Sequence, residues 1–217
     1  MQVRRGCPFY AMSGNGAHVA SGWLDSDHKT PLALRRLLEH LAAGTSTRVA
    51  VGIDAPRMPL ASRRQWSWSG KRSAWSIADN AVGAGRHCEV VISAQRLANP
   101  QWTPLREGAP EWMVLGFELF AALTEFPHVY EVFPTAAYKQ LATDPSAHLP
   151  VALAAFAPGP KDMLDAAIGA LVVRDFLAGR GCEVGGGDGL GSIVLPRPLD
   201  APHSALSEWP HSRQADV

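Results

Sequence analysis

The chain has 217 residues, of which 47% are hydrophobic and 18% charged, and its formal net charge is zero. This length suits one substantial domain and excludes two large ones, and the charge balance excludes a strongly basic protein. Cys7, Cys88 and Cys182 are widely spaced and lack a metal-ligand pattern, which predicts free thiols in a reducing compartment. With no apolar signal core after Met1 and no stretch of about 20 apolar residues, we expect a cytoplasmic protein without a membrane partner.

The first quarter of the chain predicts a hairpin, a helix and a buried strand. Apolar segments at 8–12 and 17–24 flank Ser-Gly-Asn-Gly, whose residues accept positive φ and favour a hairpin turn. Residues 32–43 have apolar side chains at helical spacing and precede Gly44, a residue typical of helix C-caps. Residues 49–53 form a continuous apolar run directly before Asp54, which indicates a strand buried on both faces.

Residues 55–106 combine eight basic residues with two acidic ones and hold four of the seven tryptophans. No clear period appears, so this stretch predicts a loop, with a short strand at 88–92 as the alternative. Guanidinium groups bind phosphate and aromatic rings stack on bases, so the composition suits nucleic acid, DNA or RNA. A solvated loop whose tryptophans fill the core explains it equally well. The candidate nucleic-acid-binding residues are Arg57, Arg63, Arg64, Lys71 and Arg72.

The second half alternates helices and strands. Helices are predicted at 111–123, 135–141 and 162–177, and strands at 129–133, 182–184 and 192–195. A loop at 144–160 precedes the last helix, and a glycine-rich segment at 185–191 predicts a tight turn, since phosphate cradles run from strand to helix. The alternation indicates one layered α/β domain with a mixed sheet over residues 1–196, followed by a flexible tail at 197–217.

Asp162 and Asp165 lie one turn apart at the start of the most apolar helical stretch, and Asp54 ends a buried strand. Asp162 could equally serve the first turn of the helix, where the helix dipole favours negative charge. Three converging carboxylates suit Mg²⁺ or Mn²⁺. Glu131 is a possible fourth member, although a structural hydrogen bond within the sheet is the favoured interpretation of it.

Arg86 and Glu89, three residues apart, either form an internal ion pair or reach a substrate phosphate. Together the motifs resemble the predicted RNase H-like nucleases called domain of unknown function 429. The resemblance covers residues 8–196 and depends on motifs that occur in the family's order: Gly52-Ile-Asp-Ala-Pro56, Arg86-x-x-Glu89, Tyr130-Glu-Val-Phe-Pro134, Lys161-Asp-Met-Leu-Asp-Ala166 and Gly187-Asp-Gly-Leu-Gly-Ser-Ile-Val-Leu-Pro196.

The resemblance implies an RNase H-like fold: a mixed central sheet with helices on both faces, whose carboxylates bind two divalent metals. Asp54 matches the fourth-strand acid, and Asp162 with Asp165 matches the acids of the late helix. Glu131 and Arg86 match positions typical of the family. The family opens with an apolar strand ending in Gly-Ile-Asp, which this sequence lacks. We therefore expect the first strand and its carboxylate to be missing, and a natural protein that is longer at its N-terminus.

These features predict a divalent-metal-dependent nuclease that hydrolyses phosphodiester bonds of nucleic acid. The catalytic and metal-binding residues would be Asp54, Asp162 and Asp165, with Glu131, Arg86 and Glu89 as accessory residues. The alternative is a nucleic-acid-binding member of the same fold that does not cleave, because one expected ligand is absent.

Overall fold

The protein is a mixed α/β structure, seen here as a computed structural model that describes residues 6–24, 29–43, 49–77, 83–145 and 160–210. The strands are β1 (Cys7–Met12), β2 (His18–Leu24), β3 (Val51–Ile53), β4 (Trp66–Ser69), β5 (Ala74–Ile77), β6 (Val129–Val132), β7 (Cys182–Gly185) and β8 (Ser192–Leu195). The helices are α1 (Thr30–Ala43), α2 (His87–Ala94), α3 (Glu111–Ala122), α4 (Pro134–Leu141), α5 (Pro160–Leu177) and α6 (Ser204–Ser207), with a 3₁₀ turn at Arg106–Gly108.

The central sheet has four strands in the order β3-β6-β8-β7. The first three are parallel, and β7 runs antiparallel to β8, so the predicted mixed sheet is confirmed. Two hairpins, β1-β2 and β4-β5, form separate two-stranded sheets. The described strands therefore give an α/β fold with a mixed sheet.

Helices cover both faces of this sheet, because neighbouring residues of a strand point to opposite sides. Val132 and Val194 pack with α5, whereas Ile193 and Leu195 pack with α2. Val51, in the edge strand β3, packs with α1 and α3. The two faces thus have separate hydrophobic clusters, as expected for helices layered on either side of a sheet.

Helix α5 contacts both the central sheet and the β1-β2 hairpin. Met163 and Ala167 pack against Tyr10 of β1, while Ile168 and Leu171 pack on the sheet side. Two buried sides explain why apolar residues occur around most of the helix circumference. None of the helices in the described segments is long and apolar enough to cross a membrane.

Gly52 allows α5 to approach β3 closely. A Cβ at this position would lie 2.9 Å from Val173 Cγ2 and 3.2 Å from the Gly169 carbonyl oxygen. A larger residue would push the helix off the strand. Because side chains alternate along a strand, Asp54, two residues after Gly52, is directed to the same side as α5. This packing brings the end of β3 near the start of α5.

Most predicted elements are confirmed within a few residues at their ends, but the segment 88–92 is helical. It belongs to α2, where Glu89 accepts a hydrogen bond from the Arg86 backbone N–H at 3.0 Å and so caps the helix. All of residues 87–92 are buried. A helix buried on every side shows no helical period in its sequence, which is why the strand was predicted there.

The basic stretch also contains the β4-β5 hairpin, which the sequence did not predict. Trp68 and Trp75, paired across this hairpin, pack against the core around α2 together with Trp102. The interpretation that these tryptophans fill the core is therefore correct for all three. The predicted C-cap Gly44 and most of the predicted loop at 144–160 lie outside the described residues.

The prediction of a flexible tail from residue 197 needs correction for residues 197–210. Arg197 donates to Asp175 at 2.6 Å, and Leu206 is buried in the core. The Trp75 indole donates to the Ala205 carbonyl at 2.6 Å, and the Trp209 ring packs against His87. Proline and serine content suggested mobility, but the side chains of Arg197, Leu206 and Trp209 hold this segment on the domain. Residues 211–217 lie outside the described part of the chain.

Candidate functional site

The end of β3 and the first turns of α5 bring Asp54 and Asp165 together. The two carboxylates are close enough that Asp165 acts electrostatically on Asp54. Asp54 follows the buried Ile53 and stays exposed at the sheet edge, whereas Asp165 is half-buried on α5. The strand-end acid and one helical acid therefore lie near enough to interact electrostatically.

Two side chains hold the Asp165 carboxylate. The Tyr138 hydroxyl donates to Oδ1 at 2.7 Å, and the Lys161 ammonium donates to Oδ2 at 2.6 Å. The Lys161 side chain is 73% exposed, so it is free to leave this position. Tyr138 comes from α4, which follows the strand β6, so two neighbouring elements of the fold fix this carboxylate. Neither residue was selected from the sequence.

Asp54 has a strongly perturbed pKa. Although Asp54 is exposed at the sheet edge, the protein around its carboxylate reduces the hydration of the charge and raises the pKa to about 7, and the negative charges of Asp165 and Glu131 add to this shift. Lys161 opposes the shift. Asp54 is therefore partly protonated near neutral pH, and a cation placed beside it would stabilise its ionised form. The pKa of Tyr138 also lies well above its usual value, because of burial and the Asp165 carboxylate, so its hydroxyl remains a donor.

Asp162 lies in the first turn of α5, where the helix dipole favours a carboxylate. Within the described segments, no group of three or more His, Cys, Asp or Glu side chains could hold a metal ion. The expected cluster of Asp54, Asp162 and Asp165 is thus reduced to the pair of Asp54 and Asp165. The sequence placed Asp162 and Asp165 on one helix face, but their distance from the strand end depends on how α5 crosses the sheet.

Glu131 takes part in a buried network instead of the carboxylate pair. Its Oε2 accepts from the Arg86 Nη1 at 2.8 Å and from the Arg57 backbone N–H at 2.8 Å. Arg86 also donates through Nη2 to Glu89 Oε1 at 2.9 Å, and Glu89 accepts from the Thr103 backbone N–H at 3.0 Å. Arg86, Glu89 and Glu131 are all at most 4% exposed. The structural interpretation of Glu131 and the ion-pair interpretation of Arg86 and Glu89 are both correct.

This network connects three parts of the fold. Arg86 precedes α2, Glu131 lies in β6, and Arg57 follows β3 by four residues. Burial raises the pKa of Glu131, while the Arg86 guanidinium and the Arg57 N–H oppose that shift. Since every partner is bonded to another, the network fixes the loop that leaves β3. It thereby supports the position of Asp54 from behind the sheet edge.

The five candidate nucleic-acid-binding residues separate into two groups. Arg63, Lys71 and Arg72 are exposed, the last two in the β4-β5 turn. Arg57 instead donates to the Val129 carbonyl at 2.7 Å and lies over the Phe120 ring, 4.5 Å from its centroid. Arg64 is buried and lies over the Trp102 ring. Three of the five candidate residues are therefore exposed, whereas Arg57 and Arg64 pack against aromatic rings of the protein.

The glycine-rich turn between β7 and β8 closes over the start of α2. Asp188 accepts from the His87 backbone N–H at 2.7 Å, and the Gly187 N–H is directed to His87 Nδ1 at 3.2 Å. A Cβ at Gly185, whose φ is +84°, would lie 2.4 Å from Cys88 Cα. The tight-turn interpretation is confirmed. Asp188 was not selected from the sequence, although an Asp within a glycine-rich turn commonly bonds to nearby backbone.

Comparison of the chain with protein-family models, with curated proteins and with solved structures gives no match.

Proposed function

We propose that this protein is an RNase H-like enzyme that binds a divalent cation between Asp54 and Asp165 and hydrolyses phosphodiester bonds in nucleic acid. The observation that carries the proposal is the proximity of Asp54, at the end of β3, to Asp165 on α5, whose carboxylate is held by Tyr138 and Lys161. Two such groups need a cation or a shared proton. The exposed Lys161 ammonium supplies that cation in the structure.

Two carboxylates are enough ligands for Mg²⁺, but too few for a metal ion whose ligands all come from the protein. Mg²⁺ typically keeps several waters and binds one or two carboxylates together with substrate phosphate oxygens. Asp54 and Asp165 provide two carboxylates, and the exposure of Asp54 leaves room for water and substrate. Mn²⁺ suits the same oxygen ligands. When bound, the ion would supply Lewis-acid activation and neutralise developing charge on the phosphate.

The side chains around the pair have separate roles in this proposal. Tyr138 holds Asp165 in one orientation through its 2.7 Å hydrogen bond. Asp54 and Asp165 would hold the ion through their carboxylate oxygens, and Asp54, whose pKa is about 7 without a cation, would release its proton when the ion binds. Lys161, released from Asp165, contacts a substrate phosphate as a point charge. The fully bonded Arg86 and Glu131 keep the loop after β3 in place.

Binding of nucleic acid without cleavage is the second candidate. It is favoured because no group of three or more His, Cys, Asp or Glu side chains in the described chain is placed to hold a metal ion. The exposed Arg63, Lys71 and Arg72 would contribute to binding in both cases. The two functions differ in whether divalent ions change the protein and whether the nucleic acid is cut.

The test combines thermal shift with a cleavage screen. The melting temperature is measured with MgCl₂ and MnCl₂, and cleavage is measured on single-stranded, duplex, hybrid and branched substrates. Nuclease function predicts metal stabilisation and cleavage that Asp54→Asn and Asp165→Asn abolish. The matched control is Asp200→Asn, which removes an exposed carboxylate outside the pair. This variant should keep both metal stabilisation and cleavage. Binding without cleavage or metal stabilisation supports the second candidate and refutes the first.

A further inference from the structure

Arg64 is a buried arginine whose guanidinium lacks hydrogen-bond partners. The residue is 9% exposed. Its Nε and Nη1 atoms are shielded from solvent, and neither has a partner among the described residues. Buried donors are nearly always paired, with protein, water or a ligand. Among the described residues, these two donors therefore remain available to a further acceptor.

The buried Arg86 and the half-buried Arg57 and Arg197 all donate to acceptors within the protein, which makes Arg64 an exception among them. Arg86 donates to Glu89, Glu131 and the Leu190 carbonyl. Arg57 donates to the Val129 carbonyl. Arg197 bonds Asp144 and Asp175. The described part of the chain thus provides acceptors for these arginines, and it provides none for Nε and Nη1 of Arg64.

The surroundings of Arg64 fix its position without bonding its donors. The guanidinium carbon lies 5.0 Å from the centroid of the Trp102 ring. The Arg64 backbone is held by Gly83, whose carbonyl accepts from the Arg64 N–H at 3.0 Å. Gly85 has a φ of +106°, and a Cβ there would lie 2.6 Å from Arg64 Nη1 and 2.5 Å from Trp102 Cε3. A glycine is required for the guanidinium and the indole to share this space.

The nearest carboxylates do not neutralise Arg64 by direct contact. Glu89 and Asp188 act on it electrostatically, but Glu89 is bonded by Arg86 and Thr103. Asp188 accepts from the His87 and Leu190 backbone N–H groups. Their charges help to keep the buried guanidinium protonated, while their oxygens are already occupied. The missing acceptor must therefore come from outside this group of residues.

We propose that Arg64, supported by Trp102, binds a phosphate group of a nucleic-acid strand. A guanidinium offers a planar set of donors that matches phosphate oxygens, and burial strengthens the interaction. This inference extends the proposed function and assumes its nucleic-acid substrate. The exposed Arg63, Lys71 and Arg72 add only unspecific attraction to the strand.

The experiment measures binding without divalent ions, so that its result is independent of cleavage. The proteins are wild type, Arg64→Met, Arg64→Lys and Arg63→Met, the last being the exposed neighbouring control. Anisotropy of a labelled single-stranded oligonucleotide is followed at several salt concentrations. Thermal shift with inorganic phosphate tests whether a free phosphate group is bound at the same site.

Arg64→Met should lower oligonucleotide affinity at least tenfold and reduce the salt slope by about 0.7, the value of one lost phosphate contact on a single strand. Arg64→Lys should keep most of the slope and still lose affinity, because it retains the charge without the planar donor set. Arg63→Met should have a smaller effect on affinity. Arg64→Met without ligand should melt no lower than wild type, since the donors it removes were unpaired.

Equal affinity and slope in wild type and Arg64→Met would overturn the inference and assign the donors to bound water. Stabilisation by inorganic phosphate without oligonucleotide binding would overturn the assignment to a nucleic-acid strand. If Arg64→Met does not fold, the inference is tested with Arg64→Lys. Unchanged oligonucleotide affinity in Arg64→Lys would overturn it. Arg64-dependent binding without any cleavage would leave this inference intact and refute the nuclease proposal.

Discussion

Two groups of charged side chains lie on opposite faces of the central sheet. They differ in how completely their charges are compensated by partners. On the α2 side, Arg86, Glu89 and Glu131 are buried, and each is bonded to the others or to backbone. On the α5 side, Asp54 has a raised pKa, and Asp165 depends on an exposed lysine. A compensated group stabilises a fold, whereas an undercompensated one is available for binding and chemistry.

The largest expected effect is the loss of stability on removing Arg86. The Arg86→Met substitution leaves Glu89 and Glu131 buried without their cation, and breaking one partner of a buried pair costs about 3–5 kcal/mol. Urea unfolding measures this loss. Arg36→Met, which alters an exposed arginine of α1, should change the free energy of unfolding by less than about 0.5 kcal/mol. A loss below about 1 kcal/mol for Arg86→Met would show that the network is hydrated and that the contrast between the two groups is false.

No strand order for the sheet was predicted from the sequence, but the strands β3 and β6 were predicted. Residues 49–53 and 129–133 are continuous apolar runs with turn signals behind them, so β3 and β6 were predictable from local pattern. The helix α2 was not, because burial on all sides leaves no period. Whether Asp162 or Asp165 meets Asp54 depends on how closely α5 crosses β3 at Gly52, which is a property of tertiary packing.

The same limit applies to side-chain partners. Arg86 and Glu89 are three residues apart, so their ion pair could be predicted, whereas the contact of Arg86 with Glu131 spans 45 residues. Tyr138 was missed because the local sequence predicts only that it lies in a helix. Its hydroxyl donates to Asp165, 27 residues away, and that contact depends on the fold. Local chemistry can be predicted from a single sequence, but the pairing of distant polar groups requires the fold.

The second expected effect is a pH dependence that originates at Asp54. Its pKa is about 7 in the folded protein, against about 3.9 in an unfolded chain, so the folded state binds more protons between these values. Stability from this group is therefore greatest below about pH 4 and falls as the pH rises towards about 7. Urea unfolding at pH 5 and pH 8 should show a larger loss in wild type than in Asp54→Asn. Asp200→Asn should behave as wild type, and parallel profiles for all three proteins would exclude a raised pKa.

The third expected effect concerns the orientation of Asp165. Tyr138→Phe removes one hydrogen bond to a half-buried carboxylate, which costs about 1 kcal/mol of stability. It should also weaken Mg²⁺ binding, because Asp165 can then rotate away from Asp54. Isothermal titration calorimetry of the folded variant measures this affinity. Tyr130→Phe, a tyrosine in β6 outside the pair, is the control. Unchanged Mg²⁺ affinity in Tyr138→Phe would mean that the hydroxyl does not position the carboxylate.

The smallest effect on stability is expected for Lys161→Met. This variant tests directly whether Lys161 compensates the charge of Asp54 and Asp165. Its ion pair with Asp165 is largely exposed, and such pairs contribute about 0–1 kcal/mol. Removing the ammonium should nevertheless raise Mg²⁺ affinity about fivefold, because a unit charge about 4 Å away in water contributes about 1 kcal/mol and competes for the same carboxylate. Lys71→Met, which removes an exposed lysine from the β4-β5 turn, should leave the affinity unchanged. Calorimetric titrations at low salt compare the three proteins. Equal or weaker Mg²⁺ binding in Lys161→Met would show that the lysine does not occupy the cation position, and that Asp54 and Asp165 are compensated in another way.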